Sequence, residues 1–197
     1  MGGDPVYLVG HDWGAMIGWY LCTFMPDKVK AYVCLSVAYC TRQPKMKPVQ
    51  ALRTFFGDEY YICKILGLLE PGEMEEEIKS YGTEHVLKTN LTETRPGPLR
   101  LPKSEPFGSK TLYAPPPLPP WLSEEDINYN IQKFEKTGFT GGLNYYRALD
   151  LNWELTAAWT GVQVKVPAIY YLRDKDLVYT TPGAKITQII VDFINKF

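Results

Sequence analysis

With 197 residues, 45% of them apolar, and a formal net charge of −1, the chain can hold one domain, or one core carrying an inserted segment. That charge gives no electrostatic drive toward nucleic acid or an anionic membrane. No apolar run approaches the length of a membrane span, and the amino end lacks the charged-then-apolar pattern of a secretion signal. The four cysteines (Cys22, Cys34, Cys40 and Cys63) show no Cys-x-x-Cys spacing and lie mostly in apolar stretches, which reads as free thiols in a reducing cytoplasm. Asn90-Leu91-Thr92 matches a glycosylation acceptor and is read as chance, there being no such signal.

In chain order, residues 5–10 read as a buried strand and Ala15–Phe24 as a helix, which Pro26 and Asp27 end. Ala31–Ala38 is almost continuously apolar, as a parallel strand covered on both faces would be. Strand, helix and strand in such short order predict a βαβ unit with parallel strands and a right-handed crossover. From Thr41 the character changes. Pro44 and Pro48 punctuate a polar stretch, an aromatic segment runs from Phe55 to Leu66, and the charged run Glu73–Lys79 reads as a solvated helix face. The proline-rich stretch from Thr94 to Pro120 reads as an extended connection. Ser123, followed by Glu124, Glu125 and Asp126, looks like a cap that starts a helix through Phe134. Gly141-Gly142 then punctuates, and Leu143–Trp153 is helical again. Val164–Leu172 returns to strand, Asp174 and Asp176 follow its carboxyl end, and Ile186–Phe197 carries a helical apolar stripe. The pattern predicts an α/β fold of mainly parallel strands: a core in two parts, residues 1–40 and 151–197, separated by an inserted helical segment, 41–150.

The stretch with most chemical content is Val9-Gly10-His11-Asp12-Trp13-Gly14-Ala15. A Gly-x-Asp-x-Gly turn between a strand and a helix has the setting of a nucleophile elbow, with Asp where Ser is usual. Gly10 and Gly14 are expected because such a turn leaves no room for neighbouring Cβ atoms. A carboxylate is charged at neutral pH, so it can attack a saturated carbon without a base. The plainer alternative is an ordinary turn with an Asp helix cap.

The elbow resembles that of the plant-type soluble epoxide hydrolases, members of the α/β-hydrolase family. The likeness extends to Glu59–Cys63, Glu70–Glu73, Thr94–Leu99, Pro119–Ser123, Phe139–Arg147 and Asp176–Tyr179, in the family's order. The resemblance implies a partial α/β-hydrolase core with an inserted helical lid. Asp12 would be the nucleophile that opens an epoxide, forming an alkyl-enzyme ester that water converts to a vicinal diol. Tyr61 and Tyr146 would be lid tyrosines that hold and protonate the epoxide oxygen, with Tyr60 and Tyr145 as adjacent alternatives. Asp176 would orient a catalytic histidine, or else serve its own loop, and the Trp13 backbone N–H would face the oxyanion. It implies a small-molecule epoxide as partner, a fatty-acid epoxide among the candidates, with no cofactor and no metal.

Three departures bear on activity. The chain has two histidines, His11 and His85, and neither matches the family's catalytic one. The family's strands and oxyanion loop ahead of the elbow are not seen, so the chain reads as truncated, with little or no turnover and an apolar strand edge on which two copies could pair. Lys64–Leu69 is longer than the family's segment there. Other classes stay open: a haloalkane dehalogenase-like hydrolase, a non-catalytic binding or interaction protein, and a mis-assembled version of a complete enzyme.

Overall fold

The apolar run at the amino end forms β1 (Val6–His11), and the turn after it opens directly into α1 (Trp13–Phe24). The structure is a computed structural model that describes residues 3–67, 72–92, 99–102, 106–107, 118–171 and 183–197. It divides into two compact units, Met1–Pro44 with Thr156–Phe197, and Lys45–Leu155.

In the first unit β1 pairs in parallel with β2 (Val29–Leu35), and β2 pairs in parallel with β3 (Ala168–Tyr171), so the sheet order is β1-β2-β3. Helix α9 (Gly183–Ile194) also belongs to this unit. Central β2 is buried except at Lys30, which is why its sequence is nearly all apolar. β1 differs from the buried strand expected. It lies at an edge of the described sheet, and Val6, Tyr7 and Val9 are 51%, 38% and 44% exposed. β2 ends at Leu35, short of the expected Ala38, because Ser36, whose N–H still donates to Tyr171, takes a φ of 74° that a strand cannot continue through. β3 begins only after Pro167, which has no N–H to give but accepts from Tyr32 N at 2.9 Å.

α1 rests on the sheet through a close contact. Tyr32 is fully buried, its hydroxyl donates to the Ala15 carbonyl at 2.7 Å, and its ring meets Trp19 edge-on at 4.7 Å. A Cβ on Gly18 would lie 2.5 Å from the Tyr32 hydroxyl, and one on Gly10 only 2.7 Å from the Gly14 carbonyl oxygen. Gly14 itself is otherwise: no described atom lies within 4 Å of a Cβ placed there. The crowding expected at positions 10 and 14 is thus found at 10 and 18, because Gly18 lies one helical turn beyond Gly14, where Tyr32 enters.

The second unit is helical: α2 (Pro48–Phe56), α3 (Tyr61–Gly67), α4 (Glu73–Tyr81), α5 (Thr83–Thr92), α6 (Glu124–Thr137), α7 (Thr140–Arg147) and α8 (Leu149–Leu155). The cap at Ser123 is present. Its Oγ accepts from Asp126 N at 3.1 Å, and Asp126 Oδ2 accepts from Ser123 N at 3.0 Å. Gly141-Gly142 does not punctuate; both glycines lie in the first turn of α7. Of the longer segment Lys64–Leu69, residues 64–67 lie in α3, where Ile65 and Leu66 are buried, and residues 68 and 69 lie outside the described residues. Nor is the charged run simply a solvated face. Met74 and Ile78 of α4 are buried with Ile65, Val86, Phe107 and Leu143, and two of its glutamates turn toward neighbouring helices. Most of the proline-rich connection lies outside the described residues, as does Asp174.

The two helical glycines of α1 separate cleanly by experiment. Gly18→Ala is expected to destabilise the fold by about 1–3 kcal/mol through overpacking against Tyr32. Gly14→Ala should be neutral or stabilising by up to about 1 kcal/mol. Urea unfolding of the two variants reads the difference; equal effects would contradict the packing described.

Candidate active site

Asp12 stands at the carboxyl end of β1 with φ 51° and ψ −125°. A positive φ is uncommon for a non-glycine residue, and this ψ also lies outside the left-handed helical basin. Holding such a conformation costs on the order of 1–3 kcal/mol and requires support from its surroundings. The support is local. The Asp12 carbonyl accepts from Ala15 N at 3.0 Å and Met16 N at 3.2 Å, and the carboxylate Oδ2 accepts from Trp13 N at 2.7 Å. The Asp12 side chain is exposed. The turn therefore delivers a solvent-facing carboxylate, with one of its oxygens already held by a backbone N–H at the start of a helix.

A second strained residue lies alongside, which the sequence did not single out. His11 and Leu35 form the last register pair of β1 and β2, so Asp12 and Ser36 are the next residue on each strand, both with positive φ. Ser36 N donates to the Tyr171 carbonyl at 3.0 Å, while its buried Oγ has no partner among the described residues. Its signal in the sequence is slight: a single Ser in an apolar strand.

In the helical unit, Tyr61 opens α3 and Tyr146 lies in the last turn of α7. Their rings meet edge-on with centroids 5.9 Å apart. Residues 99–101 anchor the start of α3: Tyr61 N donates to the Leu99 carbonyl at 3.0 Å, and Leu101 N donates to the Glu59 carbonyl at 2.8 Å. The adjacent alternatives sit differently. Tyr60 packs on Phe56 at 4.6 Å as well as on Tyr61, and Tyr145 is 45% exposed.

Two ion pairs flank these rings. Arg147, next to Tyr146, grips Glu75 of α4 with both terminal nitrogens: Nη1 donates to Oε1 at 3.0 Å and Nη2 to Oε2 at 2.8 Å. Lys64, one turn beyond Tyr61, lies 3.8 Å from Glu77 of α4. The Arg147 hydrogen bonds, and a further one with the Thr140 side chain, hold the Glu75 carboxyl down at about 2, against an ordinary value of 4.5. Arg147 is correspondingly pushed up by Glu75. The sequence carried a signal for this pair, an arginine directly after the tyrosine and an acidic run elsewhere, but not the match between them.

Of the remaining expected residues, Asp176 lies outside the described residues. His85 Nε2 is 2.7 Å from the Phe107 carbonyl, a hydrogen bond that requires a proton on that nitrogen. His11 is the last residue of β1. Among the described residues no group of three or more His, Cys, Asp or Glu side chains is placed to hold a metal ion, and no helix is long and apolar enough to cross a membrane.

Comparison with known proteins gives the family and the fold. Residues 1–60 match the family model described as the alpha/beta hydrolase fold. Epoxide hydrolase 3 of Siraitia grosvenorii is 50% identical over 185 residues, 94% of this chain and 57% of that protein. A mutant epoxide hydrolase of Vigna radiata is 44% identical, with a TM-score of 0.88 over 100% of this chain and 72% of that one. A second epoxide hydrolase crystal structure from Vigna radiata is 53% identical, with a TM-score of 0.80 over 96% of this chain and 58% of that one. The chain thus spans 57% of the length of that curated relative.

The Glu75 carboxyl sets a pH dependence. Because its value in the folded chain is lowered, its contribution to stability is complete above about 4.5 and is lost as pH falls toward about 2. Glu75→Gln should therefore cost about 2–4 kcal/mol near neutrality. That difference from the unsubstituted chain should shrink between pH 5 and pH 2 in urea unfolding. A pH-independent difference would contradict the ion pair.

Proposed function

Because this chain belongs to the plant-type epoxide hydrolase family of the α/β-hydrolase fold, we propose that it opens epoxides through an ester on Asp12, with slow hydrolysis of that ester. The observation that carries the proposal is the conformation of Asp12, strained at the strand end with Oδ2 on the Trp13 N–H at 2.7 Å. The oxygen so held remains the carbonyl oxygen of the ester, and the other, Oδ1, attacks. Its electron pair forms a bond to an epoxide carbon as the ring C–O bond breaks, and the ring electrons pass to the departing oxygen. Tyr61 and Tyr146 hold that oxygen, and one phenol gives it a proton. A phenol suits the task because it is a neutral donor at pH 7 that strengthens its hydrogen bond as charge develops. On this reading residues 45–155 form the lid, and Asp12 lies in the nucleophile elbow of the core.

The second half needs water to add to the ester carbonyl. Charge then develops on Oδ2, under the same N–H, before the diol leaves and the carboxylate returns. That water requires a base. The 197 residues offer two histidines; His85 is committed to Phe107, and His11 precedes the nucleophile on its own strand. Loss of a general base costs roughly 10²–10⁴-fold, so the ester should accumulate. Asp176, as the acid that would orient a histidine, has no such partner on this reading. The free thiols fit a cytoplasmic protein, and the exposed edge of β1 offers a surface for a second copy of the chain.

Incubation with a styrene-type or fatty-acid epoxide, followed by intact mass and diol assay, tests the reading. One adduct per chain is expected, absent in Asp12→Asn, with diol formation not exceeding the first equivalent. The exposed thiol Cys40 is the competing nucleophile, so the adduct should persist in Cys40→Ser. No adduct at all would overturn Asp12 as nucleophile. Many turnovers, lost on Asp12→Asn, would overturn slow hydrolysis.

A further inference from the structure

We propose that α4 sets the spacing of the two phenols, with Glu75 and Glu77 as positioning residues that hold the helices bearing Tyr146 and Tyr61. The kinetic part of this inference rests on the function proposed above; the structural part does not.

The helices that carry the tyrosines are short. α3 has seven residues and α7 has eight. Helices of that length are not stable by themselves, so tertiary contacts must fix their rotation about their own axes. Apolar packing of Ile65, Met74, Ile78 and Leu143 brings the three helices together, but such contacts are non-directional. Direction comes from the charged groups. The Glu75 carboxylate receives both terminal nitrogens of Arg147, at the last residue of α7. That contact is two-pronged and planar, so it fixes the direction in which α7 faces α4. Glu75 is itself held, because Oε2 also accepts from Gly72 N at 3.2 Å in the capping box of α4. On another side of α4, Glu77 lies 3.8 Å from Lys64, which shares a face of α3 with Tyr61.

Geometry explains why this matters for the phenols. A tyrosine hydroxyl stands about 9 Å from its helix axis, so a rotation of about 20° moves it by about 3 Å. Misplacement of a reacting group by about 1 Å can cost on the order of 10²-fold in rate. The network also carries a feature that packing for stability would avoid. Arg147 Nε and Glu77 Oε2 are buried without partners among the described residues. An apolar cluster of equal volume would bury no unpaired polar atom, but it would leave the helix rotations unspecified.

The test uses Glu75→Gln and Arg147→Lys, which lose the two-pronged contact with little change in size, and Lys79→Met as a control. Lys79 faces solvent, paired among the described residues with exposed Glu76. Two readouts are needed: the nuclear Overhauser contact between isotope-labelled Tyr61 and Tyr146 rings, and the second-order rate of adduct formation on Asp12. Glu75→Gln and Arg147→Lys should keep their helical circular dichroism, lose or weaken the ring contact, and form the adduct about 10²-fold more slowly. Lys79→Met should match the unsubstituted chain in both. An unchanged ring contact in Glu75→Gln and Arg147→Lys would overturn the proposal, and so would loss of helix in both, which marks a purely structural role. If the unsubstituted chain forms no adduct, the functional reading fails, and the ring contact alone decides the role of α4.

Discussion

The contact of Tyr32 with α1 is the constraint on which the sheet unit depends. A phenol with no solvent exposure fills the space between helix and strands, and its hydroxyl bonds the helix backbone at Ala15. The helix can come this close because positions 10 and 18 lack side chains. With strand and helix at that separation, one residue must make the whole change of direction between β1 and α1. That residue is Asp12, and its unusual φ and ψ follow from the packing behind it. The chemistry proposed for its carboxylate therefore depends on the close packing of Tyr32 against α1 as well as on the local bonds of the turn.

Much of this was legible in the sequence because it is local. The strand, the turn and the helix each follow from a short run of residues, and Ser123 with Asp126 specifies its own cap. What could not be read depends on partners far away in the chain. Tyr32 selects Gly18 rather than Gly14, and nothing near either glycine reveals it. The charged run at 73–79 has the composition of a solvated face, yet Glu75 meets an arginine 72 residues later. β1 has the composition of a buried strand, yet it lies at an edge of the described sheet, because burial depends on neighbours that composition does not specify.

The two units divide the proposed labour. The sheet unit supplies a nucleophile that needs no deprotonation and a backbone donor for the oxygen that stays behind. The helical unit supplies two neutral phenols, 5.9 Å apart between ring centroids, with charged pairs to either side. The proposed ring opening calls on both sets of groups. The proposed ester hydrolysis asks for one thing more, a base for water; of the two histidines, His85 bonds the Phe107 carbonyl and His11 ends β1. In the proposed function alkylation and release are separate steps, a consequence of a carboxylate nucleophile.

The central claim is that the strained turn, rather than acidity or exposure alone, makes Asp12 the reactive carboxylate among 22 Asp and Glu residues. Peptide mapping by tandem mass spectrometry, after brief treatment of the chain with a limiting epoxide, measures this most directly. An ester confined to Asp12 is the predicted result. Alkyl groups scattered over exposed carboxylates, or carried on a cysteine with Asp12 unmodified, would contradict it.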